Sequence, residues 1–144
     1  LLLRPPKIVS FDNPEDPSSM ETLVEKLGAE PVDWGFKTEC CGAAFAMSST
    51  PSVTRLCARI LTNAHNEGAD CVVTACPLCH ANLDMRQNKS ELGFSMPILY
   101  LPQLIGLALG LDEEALGLNK HITPVDSILG ANTATLPGKG DRSG

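Results

Sequence analysis

The chain has 144 residues, 43% of them hydrophobic and 4% aromatic, which is typical of one soluble α/β domain with a core of its own. Its formal net charge is −6 and its basic residues form no cluster, which argues against a nucleic acid or an anionic membrane surface as partner. The longest apolar stretch, 96–111, is broken by two prolines, a glutamine and two glycines, so we expect no membrane span. No signal-peptide pattern occurs, and the six cysteines are interpreted as thiols of a cytoplasmic protein.

The first segments predict a strand, a turn and a helix. Residues 7–11 (KIVSF) have the β-branched, partly alternating character of a short strand, and residues 12–17 (DNPEDP) have the composition of a turn. Ser18 or Ser19 can cap a helix that runs to about Leu27, because a glycine follows and can end it. The opening LLLRPP has no initiator methionine, so we expect a fragment, a processed product or a trimmed chain.

The middle of the chain gives the clearest helix and strand patterns. Residues 31–34 are expected to be extended and to lead into a cysteine-containing loop. Pro51 opens a helix that ends at Gly68, and its apolar residues follow the spacing of one buried helical face: Val53, Leu56, Cys57, Ile60, Leu61 and Ala64. The apolar run 71–75 predicts a strand buried on both faces, and Pro77 begins a helix that extends to about residue 87.

The last third adds one strand and two helices before the chain becomes polar. Residues 96–101 predict a strand, residues 103–109 a helix and residues 112–116 a short helix. Alternating strands and helices predict a Rossmann-like parallel sheet flanked by helices, with a Cys-lined metal site at one end. We expect one domain over 1–124 and a polar, flexible, disordered C-terminal tail over 125–144.

Four of the six cysteines form two pairs, Cys40–Cys41 before Gly42 and Cys76-Pro-Leu-Cys79, with 34 residues (42–75) between the pairs. Adjacent cysteines are poorly placed for a mutual disulfide, whereas a Cys-x-x-Cys pair at a helix start directs two thiolates to one point. The glycine would let the loop backbone pass close to a bulky inorganic centre. Two converging pairs would form a four-thiolate pocket that suits an iron–sulfur cluster or zinc.

The remaining cysteines and histidines give weaker signals. Cys57 and Cys71 lie in apolar patterns and are interpreted as core thiols. His80, which follows the second pair, is either an ordinary neighbour of the site or a proton or hydrogen-bond donor to a cluster sulfur. His65, late in a predicted helix, and His121, near the polar tail, are interpreted as ordinary solvated or C-terminal-turn histidines.

Two other interpretations of the paired cysteines stay open. All four could be buried apolar thiols that fall in pairs by chance. The Cys-x-x-Cys pair alone would also fit a thioredoxin-type dithiol. That pattern, however, expects its motif early in the chain and gives no role to the adjacent pair.

The CCG motif, the long spacer and the CPLC motif together resemble the cysteine-rich CCG domain. This domain occurs in one subunit of heterodisulfide reductase, its CCG-domain subunit. It also occurs in iron–sulfur subunits of enzymes that oxidise glycolate and lactate. The similarity covers about residues 1–124, most closely the second, C-terminal CCG domain of the reductase's CCG-domain subunit. It extends to LLLRPPKIVSFDNPEDPSSMETLVEKLGAEPVDW, CPLCHANLDMRQ, MPILYLPQLIGLALGL and LGLNKH.

The resemblance implies a noncubane [4Fe–4S] centre with Cys40, Cys41, Cys76 and Cys79 among its ligands. The family pattern has a fifth cysteine upstream of the adjacent pair, and residues 1–8 contain no cysteine. We therefore expect the chain to begin directly after that ligand. A lone domain of this kind is not expected to be an active enzyme by itself.

The resemblance also implies partners. The domain would meet the other CCG domain of the same subunit around a disulfide substrate. Electrons would arrive from iron–sulfur/flavin subunits of a reductase complex. Two alternatives stay open: a zinc-binding structural or interaction domain, and an electron-relay iron–sulfur subunit of a 2-hydroxyacid (glycolate/lactate) oxidase.

Overall fold

Within the described residues, the sheet consists of two parallel strands joined through a helix. The computed structural model describes residues 11–13, 15–90 and 92–132. Strand β1 (Val72–Thr74) pairs with β2 (Ile98–Tyr100), and the connection contains helix α3 (Pro77–Arg86). A crossover of this length is what a parallel pair of neighbouring strands requires. The predicted α/β character is thus confirmed for the described part of the chain, with a small parallel sheet at its centre.

Helices make up most of the regular secondary structure. Across the described ranges the α-helices are α1 (Ser19–Lys26), α2 (Thr50–Asn66), α3, α4 (Leu101–Ala108) and α5 (Asp126–Asn132). Single 3₁₀ turns lie at Ala43–Phe45, Gln87–Lys89 and Leu118–Lys120. None of the helices in these ranges is long and apolar enough to cross a bilayer.

The two faces of the sheet carry separate apolar clusters. On one face, α2 and α3 pack against Val72 and Ile98. On the other face, α1, α4 and α5 pack against Val73 and Leu99. Because successive strand residues point to opposite faces, the same two strands contribute side chains to both clusters. Helical cover on both faces is the usual environment of a parallel sheet.

The helices that the sequence patterns predict most clearly are confirmed. Helix α1 ends before Gly28, whose φ of +87° is left-handed. Helix α2 begins one residue before Pro51. Its buried residues are Val53, Cys57, Ile60, Leu61 and Ala64, and Leu56 of the predicted face is half-buried. Helix α3 begins at Pro77 as predicted.

Four segments differ from the prediction or lie outside the described structure. The helix predicted at 112–116 is wrong: the backbone makes a single turn and reverses at Gly117, whose φ is +68°. The extended residues 31–34 pair with no strand of the described structure. The strand predicted at 7–11, except for Phe11, and the tail at 133–144 lie outside the described residues.

Helix α5 lies inside the range predicted as a tail. Val125 before it is only 4% exposed, and Ile128 and Leu129 pack against the cluster of α1 and α4. The sequence signal for this helix is weak because its one buried stripe is short. The division into a domain over 1–124 and a tail over 125–144 stays a prediction.

Close packing between α4 and the following turn gives a test of the fold. A Cβ on Gly106 would collide with the side chain of Leu116, so we expect Gly106→Ala to lower the free energy of unfolding by about 1–3 kcal/mol. Chemical denaturation followed by circular dichroism measures this change. Gly35→Ala is the control, because apart from its chain neighbours no described residue has an atom within 4 Å of its Cβ position. Equal stability of the two variants would contradict the packing.

Candidate metal centre

The turn after the adjacent cysteines requires glycine. Gly42 has a φ of +77°, and a Cβ there would lie 2.8 Å from Leu56 Cδ1 and 3.4 Å from Val53 Cγ2. The turn therefore rests directly on helix α2. The close approach that this glycine permits in the structure is to a core helix, and its approach to an inorganic centre stays a prediction.

The two adjacent thiols face different surroundings. Cys41 is 2% exposed and belongs to the apolar cluster of α2 and α3. Cys40 is exposed, and its sulfur accepts a hydrogen bond of 3.3 Å from the Gly42 N–H. One sulfur of the pair thus lies in the core and the other at the surface.

The second cysteine pair lies at the start of helix α3. Cys76 is the N-cap residue, with extended backbone (φ −101°, ψ 122°), and its carbonyl accepts a hydrogen bond of 3.0 Å from the His80 N–H. This is the predicted position. The nearby backbone N–H groups of Cys79 and Leu78 lower the pKa of Cys76, as expected for a thiol at a helix N-terminus.

The two motifs meet through their sulfur atoms. Cys41 Sγ lies 3.2 Å from Cys79 Sγ, although the residues are 38 positions apart in sequence. This distance is well beyond the roughly 2.05 Å of a disulfide bond, and both thiols are free. The structure therefore brings one sulfur of each motif into hydrogen-bond contact.

This contact divides charge unequally between the two sulfurs. The hydrogen bond from Cys79 lowers the pKa of Cys41 to about 6, although burial opposes the shift, and Asn82 contributes in the same direction as Cys79. The pKa of Cys79 is raised, first by its hydrogen bond to Cys41 and then by burial. The two thiols therefore titrate as a pair in which the pKa of Cys41 lies below that of Cys79.

The thiols suit a soft metal by chemistry, and two of them are already in contact. Cys76 also interacts with Cys79, whereas the Cys40 sulfur is hydrogen bonded within its own turn. Within 11–13, 15–90 and 92–132, no three His, Cys, Asp or Glu side chains are grouped as a metal site. Thiolate donors are the ligands preferred by iron–sulfur clusters and by zinc.

The two other cysteines pack as core residues. Cys57 is fully buried on α2, its thiol donates to the Cys41 carbonyl at 3.6 Å, and burial raises its pKa to about 11. Cys71 is half-buried against the second apolar cluster, and burial likewise raises its pKa to about 11. With these raised pKa values, both thiols stay protonated near neutral pH.

A pair of histidines lies beside the second motif. The rings of His80 and His121 meet edge to face with centroids 4.8 Å apart. Of the two alternatives for His121, the structure supports a histidine at a C-terminal turn, because it is the C-cap of the 3₁₀ turn Leu118–Lys120. It is not freely solvated: its ring is half-buried, and burial first, then the nearby His80, lowers its pKa. Buried Asp84 holds this segment on α3, because its carboxylate accepts the N–H groups of Ile122 (2.8 Å) and Thr123 (2.7 Å).

Gln103 contacts the same histidine from helix α4. Its Oε1 accepts the Tyr100 N–H at 2.9 Å, and its Nε2 donates to the Leu116 carbonyl at 3.1 Å. That Nε2 is also 2.9 Å from His121 Nε2. Contacts between residues this far apart in sequence leave no local pattern, and only the histidine next to Cys79 could be suspected in advance.

Residues 5–84 match the family model described as CCG, a cysteine-rich domain. This span contains both cysteine motifs and the helices that place them. The chain belongs to the CCG family. The predicted resemblance is thereby confirmed, and the sulfur contact described above lies within the matched part of this CCG domain.

Relatives with the same region are subunits of reductases. The CCG domain is 38% identical over 124 residues to the 8-methylmenaquinol:fumarate reductase membrane anchor subunit of Wolinella succinogenes, covering 83% of this chain and 44% of the relative. It is 36% identical over 126 residues to a subunit of the ferredoxin/F(420)H(2)-dependent CoB-CoM heterodisulfide reductase of Methanosarcina acetivorans (83% and 42%). It is 34% identical over 126 residues to a subunit of the ferredoxin:CoB-CoM heterodisulfide reductase of Methanosarcina mazei (83% and 42%). The chain spans less than half the length of these relatives.

The different pKa values predict that the cysteines of the reduced, metal-free CCG domain titrate separately. Cys41 should ionise with a midpoint near pH 6, whereas Cys57 should stay a thiol up to about pH 8. Because both sulfurs are buried, the pH dependence of the cysteine Cβ chemical shifts in anaerobic NMR spectra measures both profiles without a reagent that must reach the sulfur.

Cys79→Ala is the matched variant for this experiment. It removes the hydrogen bond to Cys41, so the Cys41 midpoint should rise toward the ordinary thiol pKa of about 8.5. A midpoint near that value already in the unmodified chain would contradict the charge assignment.

Proposed function

We propose that this CCG domain holds a Cys-ligated iron–sulfur centre in a protein like the CCG-domain subunit of heterodisulfide reductase. Cys40, Cys41, Cys76 and Cys79 would be its ligands, and the centre would be of the noncubane [4Fe–4S] type. The observation that supports this most is the 3.2 Å contact between Cys41 and Cys79, because it joins the two motifs at one point. The complete protein would take part in electron transfer to a disulfide and in its reductive cleavage.

The chain offers such a centre thiolate ligands and an apolar wall that excludes water. Cys76 and Cys41 have lowered pKa values and are ready to serve as thiolate ligands. Cys41 is held in the apolar cluster of α2 and α3, which keeps water away from one side of the centre. Cys40 is exposed, and to bind the metal its sulfur would exchange the hydrogen bond from Gly42 for a metal bond. When bound, an iron–sulfur centre supplies electrons in single steps.

Cleavage of a disulfide consumes two electrons and two protons and yields two thiols. His80 is the candidate for a proton or hydrogen-bond role beside the centre, since it follows Cys79 and its ring contacts His121. Its Nε2 is buried and has no hydrogen-bond partner among the described residues. Such an atom is free to interact with a ligand or a cluster sulfur.

The whole protein would place a second domain over this site. Large apolar side chains are exposed next to both motifs: Phe45 (58%), Met47 (102%) and Leu78 (64%). Exposed apolar residues around a functional site are typical of a surface that another domain covers. We infer that the covering partner is the other CCG domain of the same subunit and that iron–sulfur/flavin subunits deliver the electrons. We further propose that the complex is cytoplasmic and that this domain has a Rossmann-like sheet.

Metal analysis tests this function directly. Protein purified without oxygen should be brown and should contain iron and acid-labile sulfide in similar amounts, because the thiolate set suits an iron–sulfur centre. Elemental analysis and sulfide release measure the two quantities. Stoichiometric zinc without sulfide would instead show a zinc-binding structural domain.

Cysteine variants test the ligand assignment. Cys41→Ser and Cys76→Ser should each abolish metal retention, because each removes a thiolate of the site. Cys57→Ala should keep the metal and lower the free energy of unfolding by about 1 kcal/mol, since it removes only a buried thiol. Metal content per chain after desalting decides the comparison. Full metal retention in either serine variant would rule out that residue as a ligand.

A further inference from the structure

A buried amide lies beside the sulfur of Cys41. Asn82 on α3 is only 8% exposed, and its Nδ2 lies 3.7 Å from Cys41 Sγ, within reach of a hydrogen bond to sulfur. A buried amide is costly unless its polar atoms are paired. The sulfur of Cys41 is the partner that the structure provides for this amide nitrogen.

Arg86 fixes which end of the amide faces the sulfur. Arg86 Nε donates to Asn82 Oδ1 at 3.0 Å, and a guanidinium can donate but never accept. The oxygen of Asn82 must therefore face Arg86, and its NH₂ group faces Cys41. Three groups thus form a chain in one direction, from guanidinium to amide to sulfur.

The same arginine also contacts the loop that follows the adjacent cysteines. Arg86 Nη2 lies 3.5 Å from the carbonyl of Ala46, four residues after Gly42. Helix α3 therefore contacts the chain on both sides of Gly42: Asn82 contacts the Cys41 sulfur, and Arg86 contacts Ala46. A residue in this position affects where the sulfur lies as well as how much charge it carries.

We propose that Asn82 is a positioning residue of the metal centre: oriented by Arg86, it donates an N–H to the Cys41 sulfur and keeps that sulfur in place as a charged ligand. This inference rests on the proposed function for the identity of the metal. A hydrogen bond to a ligand sulfur withdraws electron density from it, which stabilises the more negative, reduced state of the centre. Asn82 thus sets the electronic character of one ligand without binding metal itself.

Cobalt(II) provides a probe that is independent of iron–sulfur assembly. Thiolate ligands give bound Co²⁺ a sulfur-to-metal charge-transfer absorption, whose energy falls when a sulfur loses a hydrogen bond. In the reduced, anaerobic 144-residue chain, Asn82→Leu should move this absorption to longer wavelength and weaken Co²⁺ binding about tenfold, the usual scale for a lost outer partner. Titration followed by visible spectroscopy measures both quantities.

Two further variants separate positioning from simple stability. Arg86→Lys keeps the charge and the Asn82 amide but loses the directed Nε donor, so it should shift the absorption in the same direction by less. If circular dichroism shows that Asn82→Leu does not fold, Arg86→Lys decides the test in its place. Asn88→Leu, at an exposed position in the 3₁₀ turn after α3, is the matched control and should leave both quantities unchanged.

The outcomes separate this inference from the proposed function. Unchanged absorption and affinity in Asn82→Leu, or in Arg86→Lys if the first variant is unfolded, would overturn the positioning role even if the wild type assembles iron and sulfide. The shifted absorption would support the role even in a chain that holds only zinc. A wild-type chain without any sulfur-to-cobalt absorption would overturn the inference outright.

Discussion

The contact between Cys41 and Cys79 is the constraint on which the rest of the site depends. It brings a loop residue and a helix residue, 38 positions apart, to 3.2 Å. Cys41 reaches this place only because the turn at Gly42 packs on α2 without a Cβ in the way. The thiol is therefore a member of the hydrophobic core and of the candidate site at the same time. Changes in the packing of α2 against α3 will act on both.

A charged sulfur in a core needs compensation, because burial alone would raise its pKa, as it does for Cys57. Cys41 obtains compensation from two donors on one helix, the thiol of Cys79 and the amide of Asn82. Cys76 obtains it from backbone N–H groups at the start of the same helix. Helix α3 thus carries the side-chain donors to Cys41 and the backbone donors to Cys76, while backbone groups of the Cys41 turn add to the effect on Cys41.

Local patterns predicted the elements that carry the motifs. The face of α2 and the start of α3 at Pro77 could be predicted from the sequence because helix periodicity and capping act over a few residues. The short helix α5 and the single turn before Gly117 could not, because packing against other elements decides them. The same holds for the site: the cysteine spacing indicated it, whereas the positions of His121 and Asn82 follow from contacts across the fold.

The amide of Gln103 has a further consequence for proton chemistry. Its oxygen is engaged by the Tyr100 N–H and its nitrogen donates to the Leu116 carbonyl, so the nitrogen must also be the donor toward His121 Nε2. A neutral His121 ring is therefore locked in the tautomer with hydrogen on Nδ1. Nδ1 is itself buried and has no hydrogen-bond partner among the described residues, so neither ring nitrogen of His121 offers a path for a proton as long as Gln103 stays in place.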